Sequence, residues 1–296
     1  MREIRLTDAC DSHVHVVGPS ERFPQVASRS YTAGTANLGL LRAFGKPLGI
    51  TRFVIVQPSF YGTDNSCLLQ TLDELGEFGR GVAVVDASSA TPSLLDSYAR
   101  HGIRGLRLNL YSFGGSGTTH DLECALAKLL DIVPRPGWHI EIIARLDTLA
   151  ALAAMLARSE VPVVIDHYGL PGDETPESPA GRSLLDLAAL SHVWIKLSAP
   201  YRCSQNPLAT APPADWLKAL VETAPDRCVW GSDWPHTPIR NHEQVGSSSL
   251  PYRDIAYDHL FGDFIAVLPT AEMALRIFVR NPIRLYGFAD AQVPAL

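Results

Sequence analysis

Eight short apolar runs rich in valine and isoleucine recur along the chain, and a longer helix-compatible segment separates each from the next. The runs are ACDSHVHVV (9–17), RFVIVQPS (52–59), GVAVVDA (81–87), IRGLRLNL (103–110), HIEIIAR (139–145), PVVIDHYG (162–169), VWIKLSAP (193–200) and CVWGSDWP (228–235). Several are apolar on both faces instead of alternating, the pattern of parallel strands covered by helices on either side. Helical patterning marks the stretches 65–78, 121–133, 147–159 and 215–223. In the third of these, Leu149, Leu152, Ala153 and Leu156 share one face, and Asp147 is expected as the N-cap. Strand–helix alternation eight times over predicts an α/β fold, a (β/α)8 TIM barrel of one domain over residues 1–296, with an open doubly wound sheet as the runner-up. No Gly-x-Gly-x-x-Gly follows the first run, which removes the dinucleotide-binding version of the open sheet.

A net charge of −6 gives no electrostatic reason to expect nucleic acid or an anionic membrane as a partner. No apolar run approaches the roughly 18 residues of a membrane span, and the opening MREIRLTDACDSHVHV lacks the apolar core of a signal peptide. The five cysteines, Cys10, Cys67, Cys124, Cys203 and Cys228, are scattered and odd in number. They read as small buried hydrophobes in a reducing cytoplasm rather than as a disulfide framework. Nothing points to a particular oligomer. Three irregular stretches, 112–121, 169–182 and 236–262, follow the fourth, sixth and eighth runs, where a barrel keeps its catalytic loops.

The polar residues are informative because of where they fall. Strand interiors are apolar, yet His13-Val14-His15 ends the first run, Asp166-His167 the sixth and Gly231-Ser232-Asp233 the eighth. With a period of two, His13 and His15 point to the same side. Burying such groups costs on the order of several kcal/mol unless they are paired or bind a ligand. A lone histidine of this kind is commonly a satisfied core residue; four coincident placements at strand carboxyl ends favour an active site made of His13, His15, His167 and Asp233. Arginines also collect near the same rim: Arg107 in the fourth run, Arg145 ending the fifth and Arg202 after the seventh. Guanidinium groups suit carboxylate or sulfonate oxygens, although each could instead pair with a local Asp or Glu. Ser59 and Tyr61 after the second run, and Tyr168 after His167, could donate to a substrate oxygen.

The segments DSHVHVVGP, VVIDHYG, VWGSDWPH and the closing RNPIRLYGF resemble the amidohydrolase superfamily across essentially the whole chain. With VQPSFYGTDN (56–65), GIRGLRLNL (102–110) and WIKLSAPYRCS (194–204), they are similar to its branch of 2-pyrone-4,6-dicarboxylate lactonases. The resemblance implies a hydrolase opening the lactone ester of a small anionic substrate, with Asp233 activating water. His13, His15 and His167 would donate to the developing oxyanion, and Arg107 and Arg202 would hold the anionic groups. Superfamily members commonly bind divalent metals, and His13, His15, His167 and Asp233 match such ligands. The fourth run offers only Leu108-Asn109-Leu110 and the fifth ends in Ala144-Arg145, with His139 back at its start. The expectation is therefore no cofactor, with a single divalent ion such as zinc on those four residues as the alternative. Phe60-Tyr61 and the aromatic SAPYR leave a muconolactone, a sulfonated muconolactone or a sugar lactone open as substrate. A metal-dependent amidohydrolase or decarboxylase, and a barrel that only binds an acidic ligand, are the competing functions.

Overall fold

The computed structural model describes residues 6–111, 118–133, 136–238 and 249–289. Each of the eight apolar runs holds a strand: β1 (Ala9–Val14), β2 (Ile50–Val56), β3 (Gly79–Ala83), β4 (Ile103–Asn109), β5 (His139–Ile143), β6 (Val163–Ile165), β7 (Val193–Ser198) and β8 (Cys228–Gly231). All neighbours pair in parallel and in chain order. The ends meet where His15 N–H donates to Trp234 O at 2.8 Å and Asp233 N–H to His13 O at 2.8 Å, which closes the barrel. Gly231 allows this closure, since a Cβ there would stand 2.6 Å from His13 Cβ.

Helices α1 (Leu38–Gly45), α2 (Ser66–Leu75), α3 (Pro92–Arg100), α4 (Thr119–Ile132), α5 (Leu146–Leu156), α6 (Pro179–Ala189), α7 (Ala214–Thr223) and α8 (Tyr257–Val267) follow the successive strands. Their starts are chemically marked: Asn37, Thr91 and Ser178 accept from backbone N–H groups of α1, α3 and α6, and Thr118 with Asp121 forms a capping box on α4. The expected face of α5 is the buried one, with Leu149, Leu152 and Leu156 packed inward. Its N-cap is Arg145, however, and Asp147 lies within the first turn, its carboxylate accepting from Thr148 N–H at 2.7 Å. No helix among the described residues is long and apolar enough to cross a membrane.

Alternation along the strands splits the interior in two. Residues such as Ile140 and Ile142 on β5 and Val163 and Ile165 on β6 face the helices, whereas Cys10, Val54, Val82, Val164, Trp194 and Val229 form a separate apolar cluster inside the barrel. Leu285, Tyr286 and Phe288 from the closing RNPIRLYGF segment pack on that cluster as a floor. Above it, the next inward positions are charged: Arg107 on β4, Glu141 on β5 and Lys196 on β7, all buried. His139 sits one step below Glu141 against Tyr286, its ring seated over Gly105, where a Cβ would come within 2.4 Å.

Candidate active site

The mouth of the barrel is built where β1, β6 and β8 end. His167 and Asp233 take left-handed backbone angles, φ 53° and 59°, as do Tyr168 and His236 at 54° and 63°. Such angles in non-glycine residues cost on the order of 1–3 kcal/mol each and need support. Here Gly169 N–H bonds Asp166 O at 2.9 Å, Leu170 N–H bonds His167 O at 2.8 Å, and His236 N–H bonds Asp233 O at 2.8 Å. The turns swing His167 and Asp233 over the barrel axis beside the two β1 histidines. The His13 ring lies 4.7 Å from that of His167 and 5.1 Å from that of His15, centroid to centroid.

Asp233 is fully buried and its two oxygens have different surroundings. Oδ2 accepts from Arg202 Nε at 2.7 Å and from the Tyr201 hydroxyl. Oδ1 lies 3.2 Å from His15 Nε2 and 3.5 Å from His13 Nε2, without a satisfied hydrogen bond. Burial pushes this carboxyl up, but the Arg202 guanidinium and His167 overcome that and hold it well below the usual carboxylate range. It is ionised at neutral pH. Burial depresses His13 and His167, the latter to about 4, with Lys196 adding to the effect at His13, so both rings are neutral. His15 Nδ1 faces Val56 O at 2.7 Å and must donate to it. A neutral His15 therefore turns a bare Nε2 toward Asp233, and only its imidazolium would present the N–H that the sequence reading assigns to it. His167 Nδ1 meets Ser198 Oγ at 2.8 Å, leaving Nε2 unpartnered.

A cavity next to this cluster is lined by His15, Tyr31, Ser59, Arg107, Asn109, Arg202 and Thr237, with Pro58 and Ile143. Ser59, Arg107 and Arg202 thus lie where the sequence expects them. Both arginines are also engaged with the protein: Arg107 bonds Asp166 at 3.2 Å and Gln57 O at 3.1 Å, and Arg202 bonds Asp233 and Thr237. Three expected substrate contacts are corrected. Arg145 leaves the strand at the α5 N-cap, where its side chain is 71% exposed beside Asp147, so it does not line the cavity. Tyr168 is turned by its positive φ into the hydrophobic core. Tyr61 is buried with its hydroxyl accepting from Gly18 N–H at 3.2 Å, and Tyr31 is the tyrosine at the cavity.

Asp233 is not the lone carboxylate of the cluster. Asp166 Oδ1 lies 3.3 Å and Glu141 Oε1 3.8 Å from His13 Nδ1. Sequence reasoning left Glu141, Lys196, Tyr201 and His236 out of the site; of these, the period-two spacing of His139 and Glu141 was the readable signal. The loop 169–182 contributes no cavity-lining residue and instead ties to α7, Trp216 Nε1 donating to Glu174 O at 2.9 Å. Residues 112–117 and 239–248, within the other two expected rim loops, lie outside the described residues, as do residues 1–5 of the opening segment.

A sequence profile of the amidohydrolase family matches residues 10–288. The 2-pyrone-4,6-dicarboxylate hydrolase of Comamonas testosteroni is 32% identical, over 94% of this chain and 90% of its own. A 4-sulfomuconolactone hydrolase of Hydrogenophaga intermedia is 30% identical, over 97% of this chain and 91% of its own. Among solved structures, an Acinetobacter baumannii protein described as a probable 2-pyrone-4,6-dicarboxylic acid hydrolase with citric acid bound superposes with a TM-score of 0.76 at 26% identity, covering 95% of this chain and 100% of that one. With the profile spanning almost the entire barrel and a relative at this identity along most of both chains, the protein belongs to the amidohydrolase family.

Proposed function

We propose that the protein hydrolyses the lactone ester of a small anionic substrate, using Asp233 as general base and ring N–H groups as the oxyanion site. One observation carries this reading: three buried polar atoms without partners, Asp233 Oδ1, His13 Nε2 and His167 Nε2, converge at the barrel mouth beside an arginine-lined cavity. An unpaired buried acceptor next to unpaired ring nitrogens supplies what ester hydrolysis needs. Asp233 Oδ1 takes a proton from water as the water oxygen bonds to the lactone carbonyl carbon. The carbonyl oxygen gains charge against His13 Nε2–H and His167. The ring C–O bond then breaks, and the proton held by Asp233 passes to the departing oxygen, leaving a ring-opened acid. Arg107, Arg202 and Ser59 line the space for anionic groups. The relatives' substrates, 2-pyrone-4,6-dicarboxylate and 4-sulfomuconolactone, both carry such groups and are the first candidates.

This reading includes no metal. The groups His13, His15, Asp233 and His13, Asp166, His167 each bring ligand atoms within 4.8 Å of one another, which is the geometric case for an ion. The charges argue against it. Arg107, Lys196 and Arg202 already balance Glu141, Asp166 and Asp233 in contacts within this buried cluster. A divalent ion among neutral histidines would leave two uncompensated positive charges in low dielectric. The donors themselves, two histidines with a carboxylate, are of the kind zinc takes; it is the charge balance that weighs against the ion. The five cysteines are free thiols, which supports the cytoplasm as the compartment we propose.

The test is a turnover screen of purified protein against carboxylated, sulfonated and neutral lactones, with Asp233→Asn as the control. Ring opening of an anionic lactone that disappears in the control is expected. Failure to open any member of the panel would overturn the assignment, and tight binding without turnover would make the barrel a binding protein.

A further inference from the structure

One buried ion pair below the mouth takes no part in the chemistry just described. Lys196 of β7 and Glu141 of β5 are both fully buried and hydrogen-bonded to each other. The Lys196 ammonium also reaches His13 Nδ1 at 3.2 Å. An ammonium carries three hydrogens and no lone pair, so a hydrogen bond between them requires a bare Nδ1. The other charged neighbours of that nitrogen, Asp166 Oδ1 at 3.3 Å and Glu141 Oε1 at 3.8 Å, can only accept when ionised. Neither oxygen makes a hydrogen bond here, so an Nδ1–H donated to a carboxylate is not the contact formed. The ring proton of neutral His13 then sits on Nε2, the unpartnered atom 3.5 Å from Asp233 Oδ1.

We infer that Lys196, held in place by Glu141, is a positioning residue that locks His13 in the tautomer presenting Nε2–H to the reacting oxygen. The inference rests on the proposed role of His13 at the oxyanion. The opposite tautomer would aim a lone pair at the carbonyl oxygen and lose its stabilisation. Glu141 serves by compensating the buried ammonium, which is why two opposite charges stand in otherwise apolar strands.

The 15N shifts of His13 in histidine-labelled wild-type protein read the tautomer directly. A bare Nδ1 and a protonated Nε2 at neutral pH are expected; a protonated Nδ1 overturns the inference, whatever the enzyme turns over. Because these shifts are read without substrate, a wrong lactone assignment leaves the result standing. The paired change Lys196→Met with Glu141→Gln removes both charges at similar volume. It should move the His13 proton to Nδ1, toward Asp166, and lower kcat on the order of 10²- to 10³-fold, as for loss of one oxyanion donor, with KM changed only a few-fold. A double variant that keeps the wild-type tautomer and kcat overturns the assignment. If the double variant does not fold, the wild-type shifts alone decide.

Discussion

Replacing Arg202 by Met removes the guanidinium that bonds Asp233 Oδ2 at 2.7 Å while keeping much of the side chain's apolar stem. Two effects follow, and they can be separated. Asp233 is fully buried, so its carboxylate loses its nearest counter-charge in a site of low dielectric. Breaking one side of a buried pair costs about 3–5 kcal/mol, and the 14% exposure of Arg202 favours the lower end. The sign with pH is fixed by the wild-type direction. A carboxyl held low by Arg202 contributes stability above its unfolded value, about 3.9, and loses it as pH falls through the native value. Without Arg202, burial dominates and raises the carboxyl, so the variant is destabilised most near neutral pH and recovers relative to wild type in acid. The same rise removes the ionised base first at low pH. The acid limb of kcat/KM should therefore move upward, with losses greater at pH 5 than at pH 8. A neutral lactone reports this effect alone. An anionic lactone should lose about a further 10- to 100-fold, from charge-assisted bonds worth roughly 1.5–3 kcal/mol. Denaturant unfolding across pH and rate profiles on both substrates are the assays. An unmoved acid limb, with unfolding midpoints matching wild type, would mean that Arg202 does not control Asp233.

Asp233→Asn should retain the fold and substrate binding yet lower kcat on the order of 10²- to 10⁴-fold, the usual contribution of a positioned base; near-normal turnover would move the base elsewhere, with Asp166 the next carboxylate to try. Prolonged chelation should leave activity intact, and elemental analysis should find well under one metal per chain. Loss of activity on chelation, restored by zinc, refutes the charge-balance argument. Gly231→Ala puts a Cβ 2.6 Å from His13 Cβ and 2.9 Å from His13 N, so overpacking of about 1–3 kcal/mol and displacement of His13 should lower both stability and kcat. Wild-type melting and turnover in that variant would show that the β1–β8 closure tolerates the extra carbon.

The barrel was legible because parallel strands covered on both faces need continuous apolar runs, and eight such runs at regular spacing leave few architectures. The floor was less so. Leu285 and Tyr286 end a short helix, Asn281–Tyr286, that stands outside the eight strand–helix units, with Phe288 just beyond it, and only the interior alternation of Cys10, Val54, Val82 and Val164 explains what they cover. The misplaced cap on α5 has a local cause. An aspartate beside a helix start is a good cap candidate from sequence, but the backbone leaves β5 at Ile143, so Arg145 takes the cap position and turns its side chain to solvent. Two residues of boundary error thus converted a solvent-facing arginine into an expected substrate contact.

The site divided along a different line. His13, His15, His167 and Asp233 stood out because each is polar at the carboxyl end of an apolar run, where loops form the mouth. Glu141 and Lys196 sit mid-strand, and one charge inside HIEII or VWIKL reads as an exposed position when each strand is considered alone. The signal emerges only when the strands are taken together. In a closed barrel every second residue points to one shared interior, so His139 and Glu141 on β5 must face Trp194 and Lys196 on β7 across a few ångströms of low dielectric. A buried acid and a buried base on the same interior level have to pair, because either alone would be an uncompensated charge. Their pairing fixes what the histidine above them can do. The chemistry at the rim therefore depends on a layer that end-of-strand reasoning does not reach: Lys196 determines which nitrogen of His13 holds the proton, and Arg202 determines whether Asp233 is free of one.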